Sequence, residues 1–523
     1  MIMAHCHQLV ASCALAVALL FATMCGPQAL AAPAGKPVVG GSINVAMVGE
    51  PPTLDPMTSS TELVGIITQH LFETLYTFGE HWEILPLLAS DLPTISKDGK
   101  TFTIPLRANV KFHNGATMKA DDVVASLKRW MQVAARGKQA AQQVESVGVA
   151  NNGTAVQFKL HNYYAPLLFM LAFNNSAAVI MPANKLAPVL TEFVGTGPYR
   201  LKDRQPDRYI QLARFDGYAA RTEAPNLFGG KRSAYLDEIR FVPVPNANTR
   251  VEGASSGQFD FADALPVESY PRFAGNQKTE LMLSKPYGPL LMTFNTKRGA
   301  LADPALRRAV QTSLNTSDMM EAAFGSTTFF QVNGSLYPPG YAFHNTQGVG
   351  NYNLGNSVKA KAMAKAAGYQ GREIRILVSS QFDFHLKMAQ VAAEYMKLAG
   401  FKVKLEVSDW ATLSTRRNDP GKWEIFFTHS SFFPEPAIYS MTNDSAPGWW
   451  STPEKSAVLT ALNRERSDAR RAQIFGDFQA LVYQQVPVIK VGDFNVVTAK
   501  ARDLRGYRVT TWPFFWNVWK EAR

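Results

Sequence analysis

The sequence predicts an α/β protein, and three patterns carry that prediction. Residues 374–378, 384–398 and 401–407 read as strand, helix and strand within about thirty-five residues, a βαβ unit that implies a right-handed crossover between parallel strands. Phe102, Ile104 and Leu106 alternate with Thr101, Thr103 and Pro105, the period-two signature of a half-buried strand. Residues 120–130 return to helical spacing, so helices and strands interleave in both halves of the chain. In open sheets of this kind, ligands bind beyond the carboxyl ends of the strands.

Taken in order, residues 42–48 read as a buried strand that ends at the turn-forming Glu50-Pro51-Pro52. Ser59 and Glu62 have the spacing of a capping box, with Leu63, Ile67, Leu71 and Leu75 recurring every four residues along the helix it would open. Asn114-Gly115 is a turn. Near Lys285 a second pattern begins. Asp303 before Pro304 has the form of an N-cap and first-turn proline, opening a helix through Leu306, Val310 and Leu314. Residues 423–428 form a further strand candidate, and 468–484 a long helix with Ile474, Phe478 and Leu481 on one side. Gly400 stops the helix of the βαβ unit.

The 523 residues are 46% apolar and 18% charged, which supports a packed core and excludes a disordered chain or a membrane-embedded bundle. Such a length accommodates three or so compact units, or two large lobes. The net charge of +11 is dispersed and forms no basic tract with interleaved aromatics, so a soluble basic surface is expected rather than a nucleic-acid interface.

Residues 9–24 are small or apolar, too short for a confident membrane span and typical of a secretory leader. Ala29-Leu30-Ala31 supplies the small-x-small pattern of a cleavage site, placing cleavage after Ala31 and the signal peptide over residues 1–31. The rival reading makes Cys25 a lipid-modified cysteine, but Met24 stands where a small residue is expected. Cys6, Cys13 and Cys25 are the three cysteines, so a chain cleaved after Ala31 has no disulfide.

Motifs for chemistry are few. Gly253-x-Ser255-x-Gly257 matches a hydrolase elbow, which needs a strand before the serine and a helix after it. Here residues 246–254 read as helix and Phe259 to Phe261 as the start of an extended segment, so Ser255 is expected in a helix-ending turn. His70, His81, His113, His161, His344, His385 and His429 form no HxH, HxxxH or HExxH pair, and Gly195-Thr196-Gly197-Pro198 lacks the Lys-Ser/Thr of a phosphate loop. No catalytic residues, metal site or cofactor are expected. The conspicuous stretch is aromatic: Thr428-His429-Ser430-Ser431-Phe432-Phe433-Pro434-Glu435-Pro436, continuing to Gly448-Trp449-Trp450. It suits an apolar pocket with sparse polar anchors, and it equally suits packing within the core.

Several fixed residue types in order resemble the signature of extracytoplasmic solute-binding proteins of the dipeptide/oligopeptide/nickel family. They are Leu88-Ala89-Ser90-Asp91, Asp98 to Arg107 (DGKTFTIPLR), Val110-Lys111-Phe112-His113-Asn114-Gly115 and Ala120-Asp121-Asp122-Val123. Pro52-Thr53-Leu54-Asp55-Pro56, Gly195-Thr196-Gly197-Pro198-Tyr199, Phe294-Asn295-Thr296, the Asp303 to Leu314 helix with Arg307 and Arg308, and Gln485-Val486-Pro487-Val488-Ile489 extend the resemblance from about Val38 to the end.

The resemblance implies a monomeric periplasmic receptor for an ATP-binding-cassette importer, in which two lobes joined by hinge strands close on a peptide or other small solute and dock on membrane permease subunits. An extra α+β domain would be inserted in the first lobe. Lobe I would comprise residues 38–57, 192–284 and 491–523, the inserted domain 58–191, and lobe II 285–490. The ligand contacts implied are Thr58, Ser59, Ser60 and Thr61, Tyr287, Phe294, Asn295, Trp410, Arg417, Thr428, His429, Ser430, Phe432, Phe433 and Glu435. In peptide-binding relatives an aspartate shortly before a Pro-acidic-Pro type segment pairs with the peptide α-ammonium, but here Phe432 and Phe433 occupy that stretch. A buried ammonium without a carboxylate is expensive. Either Glu435 or His429 substitutes, or the solute is more apolar, N-blocked or not a peptide. The same fold carrying a metal chelate, with His429 as ligand, and a secreted serine hydrolase using Ser255 are the alternatives.

Overall fold

Two strands of unusual length organise the molecule. In the computed structural model, which describes residues 36–521, Thr279–Phe294 and Val488–Ala501 pair antiparallel from Thr279 opposite Ala501 to Thr293 opposite Val488. The expected signal peptide and the Cys25 alternative lie outside the described residues. Around the long pair an eleven-stranded sheet forms. On one side lie Ile425–His429, Ile374–Ser379 and Val403–Ser408, in that order outward. On the other lie Phe261–Leu265, Ser42–Met47, Glu238–Pro243, Tyr209–Arg214 and Tyr199–Gln205. The eleventh strand, Phe330–Gln331, pairs beside Val488–Ala501.

The long pair carries the sheet from one lobe to the other. Thr279 to Ser284 pairs with residues 496–501, whose free edge takes Phe261–Leu265. Beyond a register shift at Ser284/Gly288, residues 290–294 pair with Ile425–His429 on one edge and residues 488–492 on the other. Gly288 sits at this shift because the backbone of the next loop crosses it: a Cβ there would lie 1.8 Å from the Ser430 carbonyl oxygen.

The βαβ reading holds. Ile374–Ser379 and Val403–Ser408 are parallel, and helix Asp383–Leu398 connects them, ending before Gly400 at φ 85°. Asp303 caps its helix by accepting from the Ala305 N–H at 2.7 Å. The Asp468–Gln485 helix buries Ile474 and Phe478. Strand 374–408 side chains and the helices over them enclose one core, with Ile376, Phe427, Met388 and Val491 fully buried. A second core fills the first lobe around Phe158, Phe173, Trp130, Trp512 and Phe515.

Within residues 58–191, Thr94–Ile95, Thr101–Pro105, Ala155–Leu160 and Val144–Ala150 form a separate four-stranded antiparallel sheet. Helix Ala120–Val133 covers it and buries Val123, Leu127 and Trp130. The alternation at Phe102 and Ile104 therefore marks one face of this small sheet turned to the core.

One local expectation is corrected. The capping box at Ser59 and Glu62 does not form, because the helix starts later, at Glu62–Thr68, with Thr61 as its uncapped N-cap residue. Ser59 Oγ bonds the Thr61 hydroxyl and main-chain N–H instead, and the Glu62 carboxylate accepts from the Tyr287 hydroxyl. Leu71 and Leu75 are buried beyond the helix end rather than along it. Ser255 lies in the last turn of helix Ala247–Ser256, closed by Gly257 at φ 80°, and strand Phe261–Leu265 follows. Helix before strand is the reverse of a hydrolase elbow.

Candidate functional site

Strand direction locates the site. Thr279–Phe294 runs from the first lobe into the second, and Ser42–Met47, Glu238–Pro243 and Phe261–Leu265 run the same way, because each is parallel to the next and Phe261–Leu265 opposes Val488–Ala501 as Thr279–Phe294 does. Ile425–His429, Ile374–Ser379 and Val403–Ser408 run oppositely, toward the first lobe. The carboxyl ends of both sets therefore converge on the junction between the lobes, where a ligand crevice is expected.

Those ends supply the wall. From the second lobe come Gln381 and Phe382, Trp410, and His429 to Ser431, each just past a parallel strand. His429 packs edge-on to Phe382 at 4.8 Å and Phe494 at 5.5 Å, and Phe382 in turn packs edge-on to Trp410 at 5.3 Å. Phe494 carries the aromatic surface across to Tyr287 at 5.3 Å. The Arg417 guanidinium lies 5.5 Å over Trp410 and 5.7 Å over Phe426, and its Nε is buried without a hydrogen-bond partner. Burial depresses the Arg417 pKa, a measure of how little water surrounds that charge.

From the first lobe come two carboxylates. Glu62 accepts from the Tyr287 hydroxyl, and burial with the adjacent Glu62 charge pushes that phenol well above its usual range. Asp263, on strand Phe261–Leu265, is pushed up to about 6 by burial, with the Glu62 charge adding to the rise and Arg250 opposing it. The four Arg250 contacts all go to main-chain carbonyls, of Val244, Pro245, Asp263 and Ala264, so that guanidinium serves the loop backbone rather than the carboxylate.

The expected contacts divide into four groups. Tyr287, Trp410 and His429 are linked through the Phe494 and Phe382 rings and Arg417 lies over Trp410, while Thr428 and Ser430 flank His429 in the chain. Thr58 to Thr61 form a turn before helix Glu62–Thr68, with Thr58 Oγ1 donating to the Asp55 carbonyl at 3.1 Å and the Ser59 carbonyl accepting from Ser176 N–H at 2.7 Å. Phe433 bridges the lobes, edge-on to Phe173 at 5.5 Å. The remaining four are taken up by the fold. Phe294 is fully buried, and the Asn295 amide donates to the Pro420 and Trp423 carbonyls at 2.8 and 2.9 Å. Phe432 is 1% exposed and packs on Tyr341 at 5.1 Å.

Glu435 is the plainest correction. It was a candidate replacement for the missing ammonium partner, yet its carboxylate is fully buried and holds Arg471 through both oxygens at 2.7 and 2.8 Å while accepting from the Ala437 N–H. A carboxylate so committed is not offered to a solute.

His429 likewise has a partner. Its Nδ1 lies 3.1 Å from Nε2 of the fully buried His385. Among the described residues, no group of three or more His, Cys, Asp or Glu is placed to hold a metal ion. The residues that sequence reasoning passed over are Glu62 and Asp263 as site groups, Phe382, His385 and Phe494. Phe382 and His385 are neighbours at the start of one helix, but the others are remote from them in sequence, and only the strand order brings these together.

Residues 83–451 match the family described as bacterial extracellular solute-binding proteins, family 5 middle. The probable peptide ABC transporter periplasmic-binding protein y4tO of Sinorhizobium fredii is 25% identical over 486 residues, covering 89% of this chain and 91% of that protein. The glutathione-binding protein GsiB of Escherichia coli K12 is 24% identical over 474 residues, covering 87% and 89%. Among solved structures, AgaA of A. tumefaciens R10 in complex with agropinic acid superposes with a TM-score of 0.80 at 24% identity, over 92% of this chain and 99% of that one. The dipeptide-binding protein of Pseudoalteromonas sp. SM9913 with Met-Leu also reaches 0.80, at 19% identity over 92% and 100%.

Proposed function

The chain belongs to the family 5 bacterial extracellular solute-binding proteins, and from that membership we propose that it is the periplasmic substrate-binding component of an ABC importer. It captures a peptide or peptide-like solute between its two lobes and delivers it to the membrane permease subunits. The leader directs export, the protein acts as a monomer, and it performs no catalysis. The lobes are those expected from residues 38–57, 192–284 and 491–523 against 285–490, with 58–191 as the inserted domain and the long strand pair as the hinge.

The observation that carries this reading is the convergence of oppositely directed parallel strands on one junction; its proposed lining is Tyr287, Trp410, Arg417, His429 and Phe433. A receptor needs differential affinity, not bond-making: a solute that touches both walls stabilises the closed form, and that form is the one the permease reads. Aromatic faces supply apolar contact, and the Arg417 guanidinium, whose Nε has no hydrogen-bond partner among the described residues, supplies charge for an anionic group. A solute ammonium would meet Glu62 and Asp263 rather than the site occupied by Phe432.

The peptide assignment draws on the names of the relatives, y4tO and GsiB. A second reading, an N-blocked or non-peptide solute on the same fold, is favoured by Phe432 itself, whose burial against Tyr341 puts a ring where an ammonium partner is expected. The metal-chelate reading loses ground because His429 is engaged by His385, and the hydrolase reading because Ser255 ends a helix.

Mass spectrometry of small molecules released by denaturing the purified mature protein separates these. A series of short peptides supports the first reading, one non-peptide compound supports the second, and turnover of an ester or amide abolished by Ser255→Ala would overturn both.

A further inference from the structure

The pair His385 and His429 carries an inference about how the second-lobe wall recognises its solute. The two rings share one hydrogen bond, Nε2 of His385 to Nδ1 of His429, at 3.1 Å. His385 is fully buried and its other nitrogen, Nδ1, has no hydrogen-bond partner among the described residues. His429 ends its strand at the lobe junction, is only partly covered, and makes no hydrogen bond through Nε2 among the described residues.

One shared bond permits two proton arrangements. If His429 donated from Nδ1, the neutral His385 would carry its proton on Nδ1, an orphan N–H sealed among Phe382 at 5.2 Å, Phe384 at 4.7 Å and Trp410 at 6.1 Å. If His385 donates from Nε2, the orphan is a bare acceptor nitrogen. Buried orphan donors are rarer than under-satisfied acceptors, so the second arrangement is favoured. A positive charge on both rings at once is excluded by the shared bond, since one of the facing nitrogens must accept.

We propose that His385 is a positioning residue: it donates from Nε2 to Nδ1 of His429 and so holds His429 as the neutral Nε2–H tautomer, an uncharged hydrogen-bond donor for an acceptor atom of the solute. The consequence for recognition rests on the binding-protein reading; the tautomer itself does not. The surrounding charges leave the pair alone. On the His385 helix, Asp383 pairs with Lys387, which also reaches Glu268. On the second long strand Asp493, next to Phe494, pairs with Lys490. Arg417 lies 5.5 Å over Trp410, whose ring is itself 6.4 Å from that of His429. Burial depresses both histidines, His429 to about 4, in accord with two neutral rings at neutral pH. An exposed histidine would titrate between about pH 5 and 8, and this wall would then change charge within that range.

Nitrogen-15 NMR of the full mature protein, labelled at histidine, tests this without any solute. The expected result is a proton bonded to His385 Nε2 with through-hydrogen-bond coupling to His429 Nδ1, a second proton on His429 Nε2, and both rings unchanged from about pH 5.5 to 8. A proton on His429 Nδ1, absence of the coupling, or titration of His429 in that range overturns the proposal. His385→Gln, whose amide can donate to the same nitrogen, should keep the His429 tautomer, whereas His385→Leu should release its Nδ1 and let His429 titrate in the same window. If the protein proves to bind no peptide, these resonances still decide the tautomer.

Discussion

Phe433 meets Phe173 edge-on at 5.5 Å, with the Arg136 guanidinium 4.4 Å over the Phe173 ring and 5.7 Å from the Phe433 ring. This three-layer contact joins the loop after strand Ile425–His429 to the segment that precedes residue 191, so it spans the two walls of the cleft. An aromatic pair is worth about 0.5–1.5 kcal/mol beyond its buried area, and the cation a further ~0.5–1 kcal/mol. Phe433→Ala should therefore shift the population toward an open form and weaken solute binding by about tenfold, since 1.4 kcal/mol is a factor of ten. Small-angle scattering of the solute-free variant should give a larger radius of gyration; an unchanged radius would count against a role in closure.

Asp263 offers a second handle. Its carboxyl, pushed up to about 6 chiefly by burial, is charged above that pH and neutral below it. If it anchors a cationic group of the solute, affinity should be constant above about pH 7 and fall by up to tenfold per pH unit below about 5. Asp263→Asn should abolish this pH dependence and weaken binding at neutral pH. Calorimetric titration with the solute recovered from the native protein measures both, and an Asn variant that binds normally would remove Asp263 from the site.

The Glu435–Arg471 pair is predicted to matter for stability rather than recognition. Both side chains are at most 4% exposed. Removing one partner strands the other charge in the core, at a cost of about 3–5 kcal/mol. Glu435→Ala should lower the urea midpoint accordingly, and a change under about 1 kcal/mol would show that water or another group compensates.

Acid should destabilise the fold steeply. His70 is held neutral, its Nε2 accepting from Phe515 N–H at 3.0 Å while Nδ1 faces the Ile67 carbonyl at 3.2 Å, and burial depresses it to about 3. His113 accepts from Gly195 N–H at 3.2 Å and is depressed to about 4, again by burial, as is His429. Burial, with the neighbouring His429 adding to it, also holds His385 well below its ordinary value. Each ring resists protonation when folded and takes up a proton near the ordinary value of 6.5 when unfolded. The stability they support is whole above about pH 6.5 and falls as pH drops toward 4, by about 1.4 kcal/mol per pH unit for each histidine. The carboxyls of Asp263, Glu435 and Asp493, raised by burial, act in the opposite sense and offset part of this loss. Urea unfolding at stepped pH should reveal a net uptake of about one to three protons between pH 6 and 4.5; no net uptake would mean that the rings are already accessible to water.

The sequence by itself determined the elements whose signals are local. The helix after Asp303-Pro304, the βαβ unit from Ile374 to Ser408 and the helix-ending turn at Ser255 all follow from side-chain period, capping and glycine chemistry within about thirty residues. The family signature, too, is a local string of residue types. Tertiary structure decided the rest, because it turned on partners far apart in sequence. Ser59 and Glu62 have capping-box spacing, yet Glu62 is drawn to Tyr287, 225 positions on, and the helix starts later. Glu435 reads as a free acid until Arg471, on another helix, fills its carboxylate. His429 reads as a lone loop histidine until the parallel strands set His385 beside it. Periodicity reports which face of an element is buried; which charge or ring it meets there depends on strand order and direction, and these become physical only when the long pair Thr279–Phe294 and Val488–Ala501 aligns the two lobes.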